Sequence, residues 1–263
     1  MWNGIAAIFY SSYLTPFHSH NTLQLVLDIQ KDFRFRVQNG DWKIYKSLII
    51  KENVIHQLDT HDSVQLIIYL DTETKISKAI KAKYLFENEI YSTDLNIFHF
   101  INSNELQQAL LNPEPLLMEK LVQKVLESLS LGVGITSIDE RILTAEQTIS
   151  TTHPEGITIK SLAEKICLSE SRLRSLFKEV KGVSLYRYIL WNKIRYATNQ
   201  IMAGYSVNDA ALDAGFTDSS HFHKMMVKMF GISPSDFLKK NKGNRFGIFY
   251  KSPLHFETIV HKY

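Results

Sequence analysis

Two stretches in the second half of the chain share one pattern. "IKSLAEKICLSESRLRSLFKEVKGVS" (159–184) and "VNDAALDAGFTDSSHFHKMMVKMFGIS" (207–233) each begin with a short helix containing a small alanine, in Leu162-Ala163 and Ala210-Ala211. A tight turn follows, then a second helix with an inward apolar pair, Leu173/Phe177 or Phe222/Met226, and a glycine stop. This is helix-turn-helix patterning, written twice. Alanine lets the two helices cross closely. Gly215 can take the positive φ of a tight turn, whereas the first copy manages with Cys167-Leu168. One such unit is a weak signal, because many helical bundles contain a short turn. Two in tandem, joined by the helix pattern "LYRYILWNKIRYATNQIMAG", constrain the fold far more.

Local punctuation supports the same division. Ser169, Ser184, Ser206 and Asp218 stand where N-caps belong, with Asp209 completing a box for Ser206. Thr158 and Ser161 are both cap candidates for the first short helix, Ser161/Glu164 having capping-box spacing. Gly182, Gly204 and Gly231-Ile232-Ser233-Pro234 are stops. "IDERILTAEQTISTT" is a further amphipathic helix ahead of the pair, and "PSDFLKK" a final turn.

The front of the chain reads differently. "LQLVLDIQ", "FRFRVQ", "KIYKSLIIK", "VIHQL" and "VQLIIYLD" are short β-rich runs, parted by turn signals such as Asn39-Gly40-Asp41. Their regular spacing predicts a sandwich or small barrel, so the fold class is α+β. After Asn112-Pro113-Glu114-Pro115, the stretch "LLMEKLVQKVLESLSLG" places Leu117, Leu121, Val125 and Leu129 on one wide apolar stripe. The stripe either packs on the β domain or forms a dimer helix. Gly132-Val133-Gly134 ends it. The expected organisation is a regulatory domain over 1–110, a linker and dimerisation helix over 111–136, the helical domain over 137–241 and a tail over 242–263.

With 263 residues the chain has room for two modest domains. No apolar run approaches the roughly 20 residues that span a bilayer, and the opening "MWNGIAAIFYSSYLTPF" lacks the marks of a signal peptide. A single cysteine, Cys167, excludes an intrachain disulfide framework and fits a reducing interior, so a cytoplasmic protein is expected. Its place in an amphipathic helix favours core packing. Residues 1–136 hold 12 Lys/Arg against 15 Asp/Glu, residues 137–241 hold 14 against 11, and the tail holds 4 against 1. An acidic front and a basic back permit a polyanion partner for the second half alone.

Residues 137–241 resemble the DNA-binding domain of the AraC/XylS family of bacterial transcription regulators. The resemblance is carried by Leu162-Ala163, Leu168-Ser169, Leu173, Leu176-Phe177, Gly182, Ala197, Ala211, Gly215-Phe216, Asp218, Ser220-His221-Phe222, Phe230-Gly231 and Ser233-Pro234. Departures are Asn192, Lys193, Met226, Phe237 and Leu238. Lys193 lacks the forked geometry of the family's usual Arg. The resemblance implies an N-terminal cupin-like β-barrel and double-stranded DNA as partner; RNA polymerase, a small-molecule effector and a homodimer are further expected, with no membrane association and no enzymatic activity.

In a helix-turn-helix the second helix enters the major groove. Along "ESRLRSLFKEV" the inward residues leave Ser171, Arg172, Arg174, Ser175 and Lys178 outward. The resemblance puts Ser171, Arg174 and Ser175 in base-facing positions, and a guanidinium at Arg174 can pair bidentately with guanine. Arg172 and Lys178 suit phosphate contact, or a merely solvated face. In the second copy His221 and His223 lie about 200° apart around the helix, so they cannot chelate one metal. His221 falls near the turn, and His223 faces out with Ser219, Ser220 and Lys224. The two second helices are expected in adjacent major grooves, about 34 Å apart, with some bending of the duplex.

The β half has its own histidines. His18 and His20 form an H-x-H of the kind cupin metal sites use, with His56 as a later histidine, but Gln24 stands where a carboxylate belongs. Packing or an effector pocket is therefore favoured, with no metal or cofactor expected. The rival readings are a metal-dependent cupin enzyme with an appended helical domain and a non-specific architectural DNA binder. The tail, with Phe246, Ile248, Phe249 and Tyr250, has the makings of a strand and no evident purpose.

Overall fold

The computed structural model describes residues 5–11, 14–29, 31–61, 63–111, 115–130, 139–235, 248–251 and 256–258. Strands β1 (Ile5–Ser11), β2 (Thr22–Asp28), β3 (Phe33–Val37), β4 (Lys43–Tyr45), β5 (Ser47–Ile50), β6 (His56–Asp59), β7 (Val64–Asp71) and β8 (Ile90–Ser92) occupy the front. They form two antiparallel sheets that share no strand, ordered β1-β7-β2-β5-β8 and β4-β3-β6. The result is a sandwich, in place of a closed barrel. Helices α1 (Lys75–Tyr84), α2 (Ser103–Leu111) and α3 (Pro115–Ser130) accompany it.

The larger sheet is buried on both faces, and the two-residue period of a strand sorts its side chains. Leu23, Leu25 and Leu27 of β2 and Leu66, Ile68 and Leu70 of β7 face one way, against Ile80 of α1 and Leu121, Val125 and Leu129 of α3. Val26, Ile67 and Tyr69 face the other way, toward Phe33 and Phe35 of β3. The alternation in β3 leaves Arg34 and Arg36 outside, where both guanidiniums lie over the Trp42 ring.

This packing corrects the dimer assignment. Leu121, Val125 and Leu129 are buried, and Leu117 is half-buried, on the chain's own sheet. Their apolar surface is covered by the chain's own sheet, the first of the two readings of the stripe.

The tail is also placed. Strand β9 (Ile248–Lys251) pairs antiparallel with β1, Ile248 opposite Ile8, and β10 (Phe256–Thr258) pairs with β9. The large sheet thus has seven strands, β10-β9 at its edge beside β1. The expected Gly132-Val133-Gly134 stop lies outside the described residues, as do Phe237 and Leu238.

The second half is helical: α4 (Glu140–Thr151), α5 (Ile159–Lys165), α6 (Glu170–Lys181), α7 (Leu185–Met202), α8 (Val207–Asp213) and α9 (Ser219–Phe230). With a rise of 1.5 Å per residue, α7 is a rod of about 27 Å. Its first half, through Leu185, Tyr188 and Ile189, closes a core with α4, α5 and α6. A buried Glu146–Lys181 ion pair lies in that bundle. The second half of α7, through Trp191, Ile194, Ala197 and Ile201, packs with α8 and α9. That second core is continuous with the inside of the sandwich.

The junction is polar as well as apolar. Thr22 Oγ1 donates to the Met229 carbonyl at 2.7 Å and the Asn21 N–H to the Lys228 carbonyl at 2.7 Å. Carbonyls in the last turn of a helix have no partner within it, so here the β domain supplies two of theirs. Glu73 Oε2 accepts the Ser184 N–H at 2.6 Å at the start of α7. Tyr69 and Trp191 both meet Phe230 edge-on at 5.3 Å.

Candidate nucleic-acid interface

The two helix-turn-helix units repeat down to single hydrogen bonds. In the first, the Leu168 N–H donates to Ala163 O at 2.9 Å and the Cys167 N–H to Glu164 O at 3.2 Å. In the second, Phe216 donates to Ala211 O at 3.0 Å and Gly215 to Leu212 O at 2.8 Å. Both are Schellman stops, which need a left-handed residue just past the helix. Gly215 has φ +75° and Cys167 φ +54°. Cys167 is exposed at this turn, not packed in the core as its helical context implied. The backbone requirement of the stop outweighs the side chain's preference for burial.

Each second helix is 12 residues long and capped at both ends. Ser169 Oγ accepts the Arg172 N–H and Asp218 Oδ1 the His221 N–H, while Gly182 and Gly231 close the C-termini in the left-handed region. Thr158, rather than Ser161, caps α5, with Ser161 as its box partner. Ser206 caps α8 and also donates to Asp209 Oδ2 at 2.6 Å. Helix α7 ends at Met202, two residues before the expected Gly204.

Along α6, Leu173, Leu176 and Phe177 are buried, and Ser171, Arg172, Arg174, Ser175 and Lys178 are exposed. Arg174 is paired: its Nη2 donates to Glu170 Oε2 at 3.1 Å, one turn back on the same helix. Sequence reasoning passed over Glu170, although the i, i+4 spacing of opposite charges was there to be read. Along α9, Phe222 and Met226 are buried, Ser220, His223 and Lys224 are exposed, and Ser219 is half-buried. His221 is half-buried and committed to the turn. Its Nδ1 lies 3.0 Å from Thr217 Oγ1, and its ring meets Phe216 edge-on at 5.4 Å. The two histidines thus diverge, as their helical angle requires.

Lys193, the departure from the expected Arg, donates from Nζ to the Gly215 carbonyl at 2.8 Å and so holds the second turn from the α7 rod. Asn192 donates to the Ile149 carbonyl at 3.2 Å, tying α4 to the same rod. The sandwich meets the helical half at the start of α7 and the end of α9. The outward residues Ser171, Arg172, Arg174 and Ser175 of α6 and Ser220, His223 and Lys224 of α9 are exposed.

Within the sandwich the structure brings His18, His20 and His56 together, one ring nitrogen of each within 4.8 Å of the others. They come from the approach to β2 and the start of β6, joined by the His18–His56 bridge. Each Nδ1 faces a backbone carbonyl: Pro16 at 3.0 Å for His18, Thr22 at 3.1 Å for His20 and Val54 at 2.9 Å for His56. Carbonyls only accept, so His18 and His56 donate from Nδ1 and carry a lone pair on Nε2. His20 Nε2 sits 2.7 Å from Gln24 Oε1, an oxygen that only accepts, so the ring donates there. His56 Nε2 is buried and has no hydrogen-bond partner. Burial, and then the neighbouring His18, push the His20 pKa down to about 4, and burial first also lowers His56.

Comparison with known proteins agrees with the helical geometry. A family model described as a helix-turn-helix domain matches residues 162–240. The probable transcription factor PqrA of Proteus vulgaris is 31% identical over 84 residues, covering 32% of this chain and 69% of that protein. The Msm operon regulatory protein of Streptococcus mutans is 25% identical over 167 residues, 60% of this chain and 58% of that protein. The arabinose operon regulatory protein of Escherichia coli is 28% identical over 127 residues, 46% of this chain and 42% of its own length. The chain thus spans about half the length of the two operon regulators. With its paired helix-turn-helix units on one rod, the chain belongs to the AraC/XylS family of transcription regulators.

Proposed function

We propose that the chain regulates transcription by sequence-specific binding to double-stranded DNA, with α6 and α9 entering adjacent major grooves. One observation carries this reading: two hydrogen-bond-equivalent units share one rod, bury their inward residues in separate cores and keep their leading faces exposed. A non-specific architectural binder would need no such duplication.

In this reading Arg174 is the principal base reader, with Ser171 and Ser175 beside it. Arg172 and Lys178 neutralise phosphates on one groove wall. Ser219, Ser220, His223 and Lys224 serve the second groove, and His221 holds the turn that aims them. The sandwich acts as the regulatory domain, because its core runs into that of α9 and any change inside it reaches the second reader. It is a binding domain, not an enzyme. The test is selection of bound fragments from genomic DNA with the full chain, followed by a salt series against random DNA. A shared motif with two sites one helical turn apart is expected. Equal affinity for random DNA would end the reading.

A further inference from the structure

We propose that His18, His20 and His56 form a binding site for one divalent transition-metal ion, and that its occupancy is communicated to the end of α9. This goes beyond the DNA-binding reading and does not depend on it.

The donor set is the first support. Three imidazoles, each with Nδ1 against a backbone carbonyl, bring one ring nitrogen apiece within 4.8 Å of one another. Metal-bound histidines are oriented in this way by their outer partners. A core that merely packed three rings would have no need to leave His56 Nε2 buried and unpartnered. Imidazole nitrogens suit Zn2+, Co2+ or Ni2+, with Gln24 or water completing four-coordination. Zinc–nitrogen bonds of about 2.0 Å put tetrahedral ligands about 3.3 Å apart. The rings, now within 4.8 Å, must draw together. His18 is the most exposed of the three.

The position of His18 supplies the connection. Gly231, the left-handed C-cap of α9, lies so close that a Cβ on it would collide with His18 Cδ2 and stand 2.9 Å from its Nε2. Closing the three rings on an ion therefore moves the surface on which the α9 cap rests. One residue beyond His20, the Asn21 N–H holds the Lys228 carbonyl of the same helix end. An ion at the histidines acts on both contacts.

The test uses the full chain without a histidine tag, stripped with a chelator and titrated with Zn2+ by calorimetry and with Co2+ by visible absorption. One ion per chain with four-coordinate Co2+ bands is expected, and His56→Gln and His18→Gln should each weaken binding by at least about 100-fold. His18→Gln changes a half-buried ring and tests the site if His56→Gln fails to fold. Hydrogen exchange at the Asn21 amide and in the last turn of α9 should change on adding Zn2+. Absence of stoichiometric binding, or binding untouched by either variant, overturns the site. Binding without altered exchange overturns the link to α9. Neither result bears on whether α6 and α9 read DNA.

Discussion

Asp71, at the end of β7, holds Arg187, in the first turn of α7, through a 2.6 Å bond from Nε to Oδ2. The same carboxylate oxygen accepts the Trp191 indole N–H at 2.9 Å, and the Asp71 side chain is wholly buried. Removing one partner of such a pair strands the other in a low-dielectric interior. Asp71→Ala should therefore cost about 3–5 kcal/mol. Chemical denaturation of the full chain, followed by tryptophan fluorescence, measures this directly. A loss under about 1 kcal/mol would mean the two halves hold together without the clamp.

Glu170 sets the state of Arg174 before DNA arrives. Their exposed pairing is worth roughly 0.3–0.5 kcal/mol, so it is exchanged readily for a base edge. Glu170→Gln frees the guanidinium and removes a negative charge facing the duplex, and affinity for a selected site should rise about twofold or more. Arg174→Ala should cost about 1–3 kcal/mol and relax preference at one base pair. Binding assays over single-base variants of the site separate the two effects. An Arg174→Ala protein with the parent preference at every position would remove the residue from base reading.

The histidine cluster makes stability depend on pH. In the unfolded chain His20 titrates near its ordinary value of 6.5, but in the folded protein it stays neutral down to about 4. Between those values the unfolded state binds more protons, so stability falls as pH drops from about 6.5 and levels off below about 4. The His20 contribution over that window is about 3 kcal/mol, and His56 adds in the same direction. Urea titrations of chelator-treated protein at several pH values should show a shallower slope for His20→Gln than for the parent. Parallel slopes would place the acid sensitivity elsewhere.

The tandem helices were legible because their signals are local. A cap lies three residues from the N–H it satisfies, and a left-handed stop lies within six residues of the carbonyl it satisfies. Ser169, Gly182, Asp218 and Gly231 could all be placed by spacing alone. What the sequence hid is what long-range packing decides. Asp71 and Arg187 are 116 residues apart, and β9 reaches β1 across almost the whole chain. The α3 stripe shows its width in sequence but not what covers it, and the chain's own sheet covers it. The H-x-H of cupin metal sites suggested His56 as a later partner of His18 and His20, but no local pattern reports the register that brings His56 to His18.

Cys167 offers a test of the duplicated turn itself. Its φ of +54° is the left-handed conformation that Gly215 takes without penalty at the equivalent place. A side chain there costs roughly 1–2 kcal/mol, while glycine gives back about 0.4–1 kcal/mol through the greater freedom of the unfolded chain. Cys167→Gly should therefore stabilise the helical domain by up to about 1 kcal/mol, and Cys167→Ala, which keeps a Cβ, should change little because the thiol is exposed. Urea unfolding of the three proteins gives the ordering. A glycine variant less stable than the alanine variant would show that the first turn does not share the backbone requirement of the second.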